Sequence, residues 1–170
     1  MFGAFRRAKA LGVVKTMLQQ TLEPLSRWGE TTIPSSIYED PYVLGYLVGI
    51  AGFGVKLATQ DKLSTDDVGL VTIEAFHAIA GVNGRIAVEN VVHFASEQNK
   101  RFREGQHQAN SMVRVAYGLL GPNDDPQIAR MFSQAAESGI GALTGGPRNP
   151  NAEASALMSM RYFVEYTPTH

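Results

Sequence analysis

Glutamate and histidine stand three residues apart twice in this chain, at Glu74/His77 and Glu104/His107, with Glu89, His93 and Glu97 at four-residue steps between them. Residues three or four apart share one face of a helix, so the carboxylate and imidazole of each pair can address a single ion. Carboxylate-bridged dimetal bundles use two such pairs on different helices, plus one glutamate from each of two more. Here the two pairs fall on different predicted helices, but the further glutamates fit poorly. The helix expected at about 42–59 carries none, and Glu89 and Glu97 share a predicted helix with Glu104, up to roughly 20 Å away along its axis. The second pair also lies in the most hydrophilic part of the chain, "SEQNKRFREGQHQAN". Two metal readings follow: a dimetal redox centre on Glu74, His77, Glu104 and His107, or a simpler site on Glu89, His93 and Glu97. Either ligand set suits iron, manganese or zinc. The competing reading, solvated helix faces, is the expectation, and with it no cofactor.

Other chemistry has less to stand on. The chain has no cysteine, which removes disulfides, thiolate catalysis and thiolate metal sites together. A serine nucleophile lacks its Gly-x-Ser-x-Gly turn. "GIGALTGG" (139–146) is glycine-rich, but no strand precedes it and no lysine follows in the place a nucleotide loop needs. Lys100, Arg101, Arg103 and Arg114 surround Phe102, yet Glu97 and Glu104 interrupt the basic stretch and the net charge is −1. No nucleic-acid partner is expected.

The elements that would position these residues read as helices. One hundred and seventy residues, 44% hydrophobic and 18% charged, suit a single globular domain spanning 1–170. Residues 2–22, within a basic N-terminal segment 1–25, place Leu11, Val14, Leu18 and Leu22 on one seam. That segment has neither the apolar core nor the cleavage site of a secretory signal, so it is expected to stay on the chain. Phe2 and Phe5 beside Arg6 and Arg7 offer a membrane-surface reading, with arginines meeting anionic headgroups. The alternative is that this helix docks on the core or on another subunit. Cytoplasmic residence, with peripheral attachment as the variant, is the expectation.

Asp40-Pro41 opens a second helix, about 42–59, because aspartate can accept from free backbone amides and proline tolerates the first helical position. Asp125-Pro126 and Asn149-Pro150 repeat the device. The helix is apolar all round, which implies burial on every side, and its uncharged run from Pro41 to Val55 is short for a membrane span. Gly45, Gly49 and Gly52 form a strip on which a neighbouring backbone can lie. A third helix starts at Ser64, with Asp66 and Asp67 in its first turn, and ends at the "GVNG" turn, 81–84. Further helices are expected at 126–138 and 151–165, separated by a Gly/Pro-rich linker at 139–150.

From Arg85 to Leu120 there is no proline, and Val88, Val92, Ala95, Asn99, Phe102, Gln106, Ala109, Val113 and Leu120 keep a heptad seam. Glu97/Arg101 and Lys100/Glu104 favour continuity as i, i+4 pairs. The expectation is one long helix over about 85–120, with a break near Gly105 as the alternative. The fold class is all-α, a five- to six-helix bundle around a glycine-lined buried helix. A seam that outruns its own domain tends to bury itself against a partner, often a second copy. The functional expectation is therefore a non-enzymatic interaction protein, a homo-oligomer or a binder of another protein. Val88, Val92, Phe102, Val113 and Leu120 would make the contact, with Asn99 and Gln106 fixing register.

Overall fold

The computed structural model describes residues 2–27, 35–60 and 62–116. Among them the architecture is all-helical and no strand occurs. The order is α1 (Phe2–Arg27), a 3-10 turn (Ser35–Tyr38), α2 (Pro41–Thr59), α3 (Thr65–Ala80), a 3-10 turn (Gly81–Asn83), α4 (Gly84–Ser96) and α5 (Lys100–Ala116). The expected helices at 126–138 and 151–165, and the linker at 139–150, lie outside the described residues. The chain divides into two compact units, residues 1–19 with 34–110 and residues 20–33 with 111–170. In the second, the described residues are the last turns of α1 and of α5, where Thr21, Leu22, Met112 and Val113 are buried.

Local chemistry sets the helix starts as expected. Asp40 accepts from the Val43 amide at 2.9 Å ahead of Pro41, and Ser64 accepts from the Asp67 amide at 3.1 Å. Each satisfies a donor that the first helical turn leaves over. α2 stops at Gln60, whose left-handed backbone (φ 54°) turns its amide back onto Lys56 O at 2.8 Å.

α2 is the buried centre. Tyr42, Leu44, Tyr46, Leu47, Ala51 and Val55 are essentially inaccessible, which is what an all-apolar circumference requires. Its stretch is long and apolar enough to cross a membrane, and 61% of it is buried inside the protein. Two of the three expected strip glycines bring a backbone close. A β-carbon on Gly45 would run into the Phe102 carbonyl of α5, and one on Gly49 would come within 2.7 Å of Ala109 Cβ. Gly105 answers from α5, its Cα facing the Tyr42 carbonyl. Gly52 meets nothing, and Gly54 instead packs against Val14 and Met17 of α1.

The single long helix over 85–120 is not formed, and neither is a break at Gly105. The helix ends at Ser96 and a new one starts at Lys100. Gln98 takes a left-handed conformation (φ 53°), its amide donates to Ala95 O, and the Asn99 amide donates to Phe94 O at 3.0 Å. That pair of bonds is the Schellman closure of a helix C-terminus. Asn99 then caps α5, its Oδ1 accepting from the amides of Arg101 and Phe102. The residue read as a register-setting seam position is thus the break itself. The seam is continuous only in the sequence, because the turn at 97–99 keeps its spacing.

Candidate functional site

The structure spreads the candidate metal ligands over exposed faces. Glu74 and His77 are exposed on α3, as are Glu104 and His107 on α5. On α4, Glu89 Oε1 takes the Arg85 Nε at 2.8 Å, and His93 Nε2 lies 3.3 Å from Glu97 Oε2. That histidine–glutamate pair is the one contact found between members of the expected ligand sets among the described residues. No group of three or more His, Asp or Glu converges there to hold an ion.

The interface residues separate into two kinds. Phe102 and Val113 are buried in the chain's own fold, Gln106 is half-buried, and Asn99 is committed to the α5 cap. Leu120 lies outside the described residues. Val88 and Val92 differ, for Val92 is 60% exposed although it stands on an apolar helix face.

The reason lies in how α3 and α4 meet. Gly81, with φ 54° and ψ −120°, adopts a backbone that side chains strongly disfavour and reverses the chain. At Gly84 the two helices then touch, a β-carbon there falling 2.8 Å from His77 Cα. Beyond this contact a groove of about 440 Å³ lies between them. Val68, Thr72, Ile73 and Phe76 of α3 form one wall, Val88, Val91, Val92 and Ala95 of α4 the other, and Val48 of α2 contributes below. Thr65 and Gly69 complete the α3 side. Gly69 faces open space, with no atom within 4 Å of a β-carbon added to it.

Among the described residues, no ionisable side chain lines this groove. Its two hydroxyls belong to Thr65 and Thr72, and Thr72 already donates to Val68 O at 2.9 Å. Charge sits at the rim, on exposed Asp66 and on Glu89, one turn from Val92. The arrangement suits burial of an apolar group and offers no nucleophile, acid or base inside. The α3 wall was missed from sequence, while the α4 wall was half seen. Its signal was legible: Val88, Val91, Val92 and Ala95 follow the i, i+3, i+4, i+7 pattern of an apolar face wider than a seam.

The N-terminal residues considered for a membrane surface are placed as follows. Phe2 begins α1, Phe5 is 74% exposed, and Arg6 and Arg7 are half-buried. Arg7 Nη1 lies 3.5 Å from Asp67 Oδ1. Away from the groove, the α2–α5 contact encloses Tyr42, which donates to Gln108 Oε1, and Tyr46, whose hydroxyl is buried with no hydrogen-bond partner among the described residues. Burial, and next the neighbouring Tyr42, pushes the Tyr46 phenol above its ordinary pKa.

Compared with known proteins, the chain matches no family model, no curated protein and no solved structure.

Proposed function

We propose that this protein works by self-association, through the groove between α3 and α4, and that it carries out no chemistry there. The observation behind the reading is that groove: an open recess of about 440 Å³ whose walls are almost wholly aliphatic. Apolar surface left in water forgoes roughly 25 cal/mol for each Å² that a partner would cover. Contiguous apolar patches of this kind on soluble proteins mark interaction sites. The volume lies in the range of built binding recesses, roughly 300–1,000 Å³. The partner is a second copy of the chain, as most soluble oligomers are homomeric.

The motive differs from the one the heptad seam suggested. Among the described residues, Phe102, Ala109 and Val113 of the α5 half are buried, whereas Val92 of the α4 half stands 60% exposed. Sedimentation equilibrium tests the reading. The wild-type chain is expected to associate at micromolar concentration, and Val92→Asp is expected to shift it toward monomer without lowering its melting temperature. A strictly monomeric wild type would defeat the proposal.

A further inference from the structure

Phe5 is the large apolar side chain of α1 that solvent reaches most freely among the described residues, at 74% exposure. Its neighbours on the outward face, Ala4, Ala8 and Gly12, are small and exposed. The ring therefore stands out as a knob on a low surface. It does not enter the groove of its own chain, whose walls it does not join.

Yet the groove is near. The contact of Arg7 with Asp67 seats this end of α1 beside the first turn of α3. Thr65 and Val68, on either side of Asp67 in that turn, line the groove. Knob and recess are thus neighbours in one protomer. A two-fold dimer requires that both halves of a contact belong to one self-complementary patch, so that each copy gives what the other receives. Charge agrees with this pairing. Around the knob stand Arg6 and Lys9, in a helix with no acid before Glu23, while the groove rim carries exposed Asp66 at the first turn of α3. Arg85 and Glu89 on α4 neutralise each other at 2.8 Å.

Resting on the association reading above, we infer that the Phe5 end of α1 from a second copy fills the α3–α4 groove, in a reciprocal exchange that closes a dimer. An aromatic anchor in an apolar recess, with opposite charges around its edge, is the usual composition of an interface hot spot.

The test compares the full-length wild type with Phe5→Ser, which removes the knob, and Gly69→Leu, which fills the recess. Sedimentation equilibrium at low salt should show a wild-type dimer, weakened about a thousandfold in each variant, which loses both seats at roughly thirtyfold apiece. Circular dichroism should stay as in wild type, and melting at a concentration where all three chains are monomeric should not fall below wild type, because Phe5 is exposed and Gly69 faces open space. An equimolar mixture of the two variants should recover a heterodimer, since one intact seat remains. That seat joins Phe5 of the Gly69→Leu copy to the groove of the Phe5→Ser copy. Added salt should weaken the wild-type dimer by screening the edge charges. If Gly69→Leu dissociates while Phe5→Ser does not, the exchange is wrong and groove-mediated association stands. A mixture that stays monomeric also overturns the exchange, and a monomeric wild type overturns both. Should Phe5→Ser keep its self-association and lose binding to anionic vesicles, the ring belongs to a membrane surface and the exchange fails.

Discussion

Gly84 of α4 lies so close to His77 of α3 that a β-carbon on the glycine would fall 2.8 Å from the histidine Cα. This contact pins the two helices at one end, and the groove lies beyond it between them. Gly84→Ala should therefore destabilise the protein by about 1–3 kcal/mol, because the obstructing atom is backbone and has little room to move. Gly69→Ala, on the same hairpin but facing open space, should instead stabilise it by up to ~1 kcal/mol through helix propensity. Urea midpoints of the two variants should move in opposite directions.

The same reasoning separates the glycines of α2. Gly45→Ala meets the Phe102 carbonyl and should be strongly destabilising, whereas Gly52→Ala meets nothing and should be neutral or better. Equal effects in thermal melts would show that the α2–α5 approach is not what holds these helices together.

At the α4–α5 turn, Gln98 sits at φ 53°, where a side chain is strained and glycine is not. Gln98→Gly should raise stability by about 0.5–1 kcal/mol. Asn99→Ala removes the side chain that caps α5 and should lower it by about 1 kcal/mol. Were 85–120 one continuous helix, glycine at 98 would destabilise instead, so the sign of this change tests the break directly.

Tyr46 gives a pH signature. Its phenol is pushed up by burial, and burial raises Tyr38 in the same direction. Unfolded tyrosines ionise near pH 10, while the buried ring stays protonated. Above that pH the unfolded state holds fewer protons than the folded one, so stability falls as pH rises. The slope from Tyr46 approaches about 1.4 kcal/mol per pH unit above ~pH 10. Tyr46→Phe should flatten that fall. At neutral pH it should also stabilise the chain by about 1 kcal/mol, because it deletes a buried hydroxyl with no partner among the described residues. Melting temperatures from pH 7 to 11 measure both effects.

Much of this architecture is written locally. Asp40 and Ser64 announce helix starts because the amides they satisfy lie within three residues. α2 announces its burial because it has no polar face to turn outward. The all-helical class follows from such short-range chemistry. The break at 97–99 is local too, but its signals conflict. Asn99 favours a cap, while the expected pairs Glu97/Arg101 and Lys100/Glu104 and an unbroken apolar spacing favour continuity. The balance is a few tenths of a kilocalorie per mole, and only the assembled packing tips it.

Which half of the seam is covered could not be read from the chain. Phe102 and Val92 belong to one periodic pattern, yet Phe102 is sealed beneath the glycines of α2 while Val92 stands open. Periodicity tells which residues share a face. Whether another helix arrives to cover that face depends on close approaches such as Gly45 to Phe102 and Gly84 to His77, between residues that only folding brings together.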